Sequence, residues 1–245
     1  MLDQPFLSVI IPAFNEANLD RLPNTLSELI AFIQKQDFLT EVVIVNNNSS
    51  DCTFEIAEAA SLQYSFIRVV NEPIQGKGAA VKTGAFASHG KYLFICDADL
   101  SMPINEILKF IPPHIAEYEI AIASREVPGS QRMGEPEFRH IMGRVFNFIV
   151  RLIAVRGLKD TQCGFKCFPR DIAMSIFPLQ TINGWAFDVE LLFIAQQKGF
   201  QITEIPITWV YKEQSKIKPL KDAYSMILET LRIRQNDFLG VYKTR

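Results

Sequence analysis

Between residues 7 and 124 the chain alternates short, almost unbroken apolar runs with segments of helical periodicity, a rhythm that restricts the fold more than any other feature. The apolar runs are LSVIIPAF (7–14), EVVIVN (41–46), FIRVV (66–70), KYLFIC (91–96) and YEIAIAS (118–124). Rich in β-branched residues, they suit strands covered on both faces. Helical patterns fill about 23–36, 53–62, 78–88 and 105–117. Alternating strands and helices predict an α/β fold around a mostly parallel sheet, with right-handed crossovers and helices on its faces.

After about residue 125 the rhythm breaks. VPGSQRMGEPE is followed by an apolar and basic segment (139–157), DTQCGFKCF, a helix near 187–198, a strand in ITEIPITWVY and a helix over 219–238. With no internal repeat and no low-complexity linker, residues 1–245 read as one domain, with a half of about 1–125 and an appended part of about 126–245.

Composition narrows the function. With 48% hydrophobic and 21% charged residues the chain can bury a substantial core. A net charge of -2 gives no basic field for nucleic acid. The four cysteines (52, 96, 163, 167) form no CxxC pair, which suits reduced thiols in an intracellular protein. The N-terminal stretch lacks the pattern of a signal peptide, and no run reaches the roughly 20 apolar residues of a spanning helix. The expected location is cytoplasmic, peripheral on the cytosolic face of a membrane.

The fourth apolar run ends in FICDADLS (94–101), so Asp97 and Asp99 lie just past a strand end, where ligands gather in parallel α/β sheets. Two residues apart in extended chain, they project to one side. Their mutual repulsion calls for a nearby cation, and an all-oxygen donor set favours Mg²⁺ or Mn²⁺. An Asp-x-Asp also occurs in ordinary turns, but here it has company at the same sheet edge. PAFNE (12–16), NNNSSDCT (46–53) and NEPIQGKGAAVKTGA (71–85) follow the first three strands. In the last of these, Lys77 between Gly76 and Gly78 suits a diphosphate or is a solvated loop lysine; it matches neither GxxxxGK[ST] nor GxGxxG.

Taken together, these motifs resemble a family-2 glycosyltransferase of the GT-A fold, and the likeness covers nearly the whole chain. DTQCGFKCF (160–168), WAFDVELL (185–192) and ITWVYKEQSKIKP (207–219) are similar to dolichyl-phosphate glucosyltransferases, with dolichyl-phosphate mannose synthases as close relatives. The resemblance implies a Rossmann-like GT-A sheet, mostly parallel but mixed, and a C-terminal region of acceptor-binding and interfacial helices. It places Pro12, Ala13, Asn15, Glu16, Gly76, Lys77 and Ala98 around the nucleotide sugar. It puts Asn46, Asn47, Ser49 and Asp51 at the base, and the metal on Asp97 and Asp99. Where the family often has DDGSxDGT this chain has NNNSSDCT, and Ser101 stands where mannose synthases often place a third metal ligand.

The implied reaction is inverting transfer of glucose from UDP-glucose to a polyprenyl (dolichyl-type) phosphate. A phosphate monoester, its second pKa near ~6, is already largely ionised at neutral pH and needs no strong base. The resemblance assigns Arg125 and Arg139 to the acceptor phosphate and sets Asp160 beside them. Gln162, Trp185, Asp188, Glu190, Lys212 and Lys216 complete the acceptor side. Mannosyl transfer from GDP-mannose, a saccharide acceptor needing Asp160 or Asp188 as a base, and a degenerate nucleotide-binding scaffold remain open alternatives. Residues 139–170 carry seven Lys/Arg against one acid, with large apolar groups between Arg144 and Arg151. Such a segment fits an interfacial helix on anionic lipid, or an amphipathic helix packed on the domain itself, on a partner subunit or on a second copy.

Overall fold

The structure, a computed structural model, describes residues 4–17, 21–117, 119–212 and 219–243, with side chains of the last helix described from Asp222 onward. The first half runs β1 (Leu7–Ala13), α1 (Arg21–Ile33), β2 (Thr40–Asn46), α2 (Thr53–Gln63), β3 (Ile67–Asn71), α3 (Lys77–Ala87), β4 (Tyr92–Ile95) and β5 (Ile120–Ser124). Then come β6 (Gln131–Met133), α4 (Glu137–Ile153), β7 (Lys166–Pro169), α5 (Arg170–Ile176), α6 (Phe187–Gln197), β8 (Ile202–Pro206), β9 (Thr208–Val210) and α7 (Pro219–Phe238).

Seven strands form the main sheet in the order β3-β2-β1-β4-β7-β5-β8, and β6 pairs with β9 separately. Strand β7 runs antiparallel to both neighbours; every other pair is parallel. Alternate strand residues feed two cores, because successive side chains leave a strand on opposite faces. Ile10, Val43, Val45, Leu93 and Ile95 join the cluster containing α3 and α6, whereas Val9, Ile11, Val42, Ile44 and Phe94 pack toward α1. Helix α3 lies close on the sheet because Gly84 has no side chain: a Cβ there would stand 2.4 Å from the Ile10 Cγ2.

Parallel pairing brings the carboxyl ends of β1 to β4 to one edge, with Ala13 level with Asn46 and Asn46 level with Asn71. The two reversals around β7 leave β5 parallel to β4, so Arg125 arrives at the same edge, as does the segment leading into β7.

Two local expectations are corrected. The expected helix over 105–117 is a 3-10 turn, Ile104–Phe110, which Pro112 and Pro113 prevent from continuing. ITEIPITWVY divides between two sheets, because Pro206 has no N–H to extend the ladder and the chain leaves the main sheet after it. Strand β7 was not foreseen, since four residues led by a lysine carry no strand pattern.

Candidate functional site

Loops at the strand ends are spliced together by their own polar side chains. Asn15, in left-handed backbone with φ of 52°, accepts a bond from the Ser50 N–H (2.8 Å). Its own N–H donates to the Ser49 hydroxyl (3.1 Å). Asp51 accepts from the N–H groups of Thr53 (3.0 Å) and Ala17 (3.1 Å), which ties the start of α2 to the first loop. Asn46 donates to the Asn71 side chain (2.9 Å). Asn47 donates to the Ile74 carbonyl (2.7 Å) and accepts from the Gly76 N–H (2.8 Å). Amides, which donate and accept at once, can make these crosslinks where carboxylates could only accept.

Behind these loops lies a cleft of about 920 Å³. On its floor the Lys77 ammonium is 2.5 Å from Asp97 Oδ1 and 5.8 Å from the centre of the Trp185 ring. Burial works against that charge, but Asp97, Asp188 and Asp99 outweigh it and hold the lysine pKa above its ordinary value. Asp99 accepts from the Ser101 N–H (2.9 Å) across Leu100, whose φ is 50°. Gly164 gives Asp97 its space, since a Cβ there would fall 1.8 Å from Asp97 Oδ2. Asp188 sits deeper, 2.8 Å from the fully buried Lys166 ammonium. Its pKa is raised by burial, against the pull of Lys166 and Lys77.

The oxygen-only pair Asp97 and Asp99 fits a hard divalent ion that keeps several waters or phosphate oxygens as ligands. Among the described residues no group of three or more His, Cys, Asp or Glu could hold a metal alone. The pair could supply only some of the donors such an ion needs, and Asp97 has a cation, the Lys77 ammonium, beside it.

Another part of the lining is basic and aromatic. Arg125 donates to both oxygens of Asp160 (2.7 and 3.0 Å), and its backbone N–H adds a third bond (3.0 Å). Burial would raise the Asp160 pKa, but the Arg125 charge and these bonds overcome it and lower it to about 2. The Trp209 ring lies 5.4 Å from the Arg125 guanidinium and 5.9 Å from that of Arg132, which Glu126 and Glu135 hold at 2.5 Å each. Arg139 donates to the Tyr211 hydroxyl (2.6 Å).

Of the residues expected from sequence, Pro12, Ala13, Asn15, Glu16, Asn47, Gly76, Lys77, Asp97, Ala98 and Asp99 line the cleft, as do Arg125, Arg139, Asp160, Gln162, Trp185, Asp188 and Lys212. Asn46, Ser49 and Asp51 lie outside the lining, in the crosslinks described above. Glu190 is fully buried away from the cleft, accepting from the Thr181 and Ile182 N–H groups and the Tyr242 hydroxyl (2.7 Å). Lys216 is outside the described residues. Sequence reasoning missed Glu126, Arg132, Glu135, Trp209 and Tyr211, all lining residues. The only signal was the alternation of two aromatics in TWVY.

The chain matches glycosyl transferase family 2 over residues 8–177. It is 33% identical to a dolichyl-phosphate beta-glucosyltransferase of Dictyostelium discoideum, over all of this chain and 78% of that protein. The enzyme of the same description from Homo sapiens is 32% identical, covering 97% and 77% of the two chains. That of Saccharomyces cerevisiae is 33% identical, covering 98% and 78%. In fold the chain is similar to glucosyl-3-phosphoglycerate synthase of Mycobacterium tuberculosis in complex with UDP (TM-score 0.64, 19% identity, 98% of this chain and 81% of that one). A complex of that enzyme with Mn²⁺, UDP-glucose and phosphoglyceric acid aligns equally well, at 0.64 and 17% identity over 98% and 81%.

Proposed function

The chain belongs to glycosyl transferase family 2 and is a glycosyltransferase of the GT-A fold, and from that premise we propose that it transfers glucose from UDP-glucose to a polyprenyl phosphate, with inversion. One observation carries the acceptor assignment: the cleft that holds Asp97 and Asp99 is also lined by three guanidinium groups, those of Arg125, Arg132 and Arg139. Guanidinium forks suit the planar, multidentate recognition of a phosphate.

The donor lies against the loops after β1 to β4, and the acceptor against the region from Arg125 onward. Asp97 and Asp99 would hold a Mg²⁺ or Mn²⁺ ion, whose charge stabilises the departing nucleoside diphosphate. Lys77 adds a second cation at that end of the cleft. Arg125 and Arg139 orient the acceptor phosphate and screen its charge, so that two polyanions can approach. Asp160, with a pKa of about 2 and both oxygens engaged by Arg125, is a poor proton acceptor at neutral pH. Its part is to fix the guanidinium. This suits an acceptor that arrives already ionised.

The same reading brings the chain to a membrane surface. Helix α4 exposes Phe138, Ile141, Met142, Val145, Phe148 and Leu152, at the three- and four-residue spacing of a single helical face. Met142 and Phe146 of the same helix line the cleft, so a lipid held on this face would present its phosphate to the arginines. Among the described residues no helix is long and apolar enough to cross a membrane. Such a surface helix suits peripheral attachment at the cytosolic face.

A saccharide acceptor is the second reading, favoured by one feature: Asp188, with its raised pKa, lies on the cleft wall and could serve as a base. Incubation with dolichyl or undecaprenyl phosphate and labelled UDP- and GDP-sugars, each with and without EDTA, separates the readings. The expected product is a β-glucosyl phospholipid, formed from UDP-glucose and lost with EDTA. Transfer from GDP-mannose would overturn the donor, and glucosylation of a free saccharide in place of the lipid would overturn the acceptor.

A further inference from the structure

We propose that Lys77 is a resident counter-cation of Asp97 that keeps a divalent ion out until a nucleoside diphosphate draws it away, so that metal and nucleotide bind cooperatively. The inference rests on the reading that Asp97 and Asp99 hold the metal.

The Lys77 ammonium stands 2.5 Å from Asp97 Oδ1, close enough to occupy one of the positions from which a metal would be coordinated. Its backbone cannot follow a displaced side chain. Gly76 turns at a φ of 141°, with space so tight that a Cβ would meet the Asn183 carbonyl oxygen at 2.1 Å. The Gly76 N–H donates to Asn47 (2.8 Å) and the Gly78 N–H to the Asn183 carbonyl (2.9 Å). The side chain of Lys77, by contrast, borders the open cleft.

Charge decides when it swings. Three carboxylates (Asp97, Asp99, Asp188) face two ammonium groups (Lys77, Lys166) around this floor. Lys166 cannot move aside or take over, being fully buried and bonded to the Cys163 carbonyl (2.6 Å) and Asp188 (2.8 Å). A divalent ion arriving alone would have to share Asp97 with the Lys77 ammonium, a like charge at contact distance in a partly desolvated site. A diphosphate removes that conflict. It offers Lys77 a new anionic partner at the start of α3, where the helix dipole also favours negative charge. Each ligand then makes room for the other, and by linkage the gain is equal in both directions.

Mn²⁺ titration of the full chain by calorimetry, with and without UDP, tests this, and Trp185 fluorescence gives a second readout because its ring borders Lys77. For the wild type, UDP should tighten Mn²⁺ binding by about tenfold or more. Lys77→Met should bind Mn²⁺ without UDP about tenfold tighter than the wild type, and the factor by which UDP tightens Mn²⁺ should fall by about the same tenfold, leaving only what the phosphate oxygens contribute by coordinating the ion directly. Lys77→Gln should behave like Lys77→Met and provides the test should the latter fail to fold, whereas Lys77→Arg keeps the charge and should retain the coupling. Lys77→Met and Lys77→Gln proteins that fold yet bind Mn²⁺ no better than the wild type overturn the proposal and leave the metal assignment standing. A wild type that binds no Mn²⁺ even with UDP removes the metal assignment, and the proposal with it.

Discussion

Asp160 shows how a buried carboxylate can shape a cleft by holding another side chain in place. Its carboxylate is buried and triply bonded by Arg125, and its own N–H donates to Glu204 (2.9 Å). The folded-state pKa of about 2 lies below the ordinary value of 3.8. A depressed carboxylate pKa stabilises the fold above the unfolded value, and that contribution fades as pH falls through the folded one. Asp160→Asn should therefore cost about 3–5 kcal/mol at pH 7, because Arg125 is left without a counter-charge. The gap to the wild type should narrow below about pH 4. Urea unfolding of both proteins at neutral and acid pH measures it, and equal stability at pH 7 would remove the role. Single residues were unevenly legible. Asp97 and Asp99 could be read because two adjacent acids after an apolar run have few explanations. Arg132 could not, since its place depends on Trp209, Glu126 and Glu135, brought together by a two-stranded sheet with no sequence signature.

Elements were legible where burial imposed a period. The strands of the first half announced themselves because both faces are covered, and α4 did so by its amphipathic spacing. Short elements were hidden: β6 and β7 have three and four residues, too few for a period to show. Glu190 followed the same logic in reverse. Two acids two apart at the start of α6 look alike in sequence, yet Asp188 faces the cleft while Glu190 turns inward to hold the 181–182 backbone. Helix α4 yields the prediction proper to this scale. Replacing Phe138 and Phe148, which are 66% and 61% exposed, by Asp should weaken binding to anionic phospholipid vesicles by more than about tenfold. Turnover of a short, water-soluble polyprenyl phosphate should survive, since neither side chain lines the cleft. Unchanged sedimentation with vesicles would point instead to a protein partner for this face.

At the scale of the molecule, the two halves suggested by the sequence rhythm are not independent bodies in the packing. Strand β7, from the second half, lies between β4 and β5 of the first. Phe165, just before it, meets Phe94 and Phe110 edge-on, with ring centres 4.9 and 6.1 Å apart. No local pattern could reveal this insertion, because antiparallel pairing over some seventy residues is a property of the finished sheet, whereas helix crossovers between parallel strands follow from the rhythm itself. The physical consequence concerns cooperativity. A fragment ending at Arg125 would bare one edge of β4 and strip β5 of both its partners, and it would expose the Phe94 and Phe110 rings to water. Baring two large aromatic rings alone forfeits several kcal/mol, a large fraction of the ~5–15 kcal/mol that stabilises a typical domain. We therefore expect the full chain to unfold in one transition, observed together by far-ultraviolet circular dichroism and by the fluorescence of Trp185 and Trp209. The 1–125 fragment should give no cooperative transition and no nucleotide binding. A fragment that melts sharply and binds UDP would establish the donor half as a domain in its own right and break the single cooperative unit argued from β7.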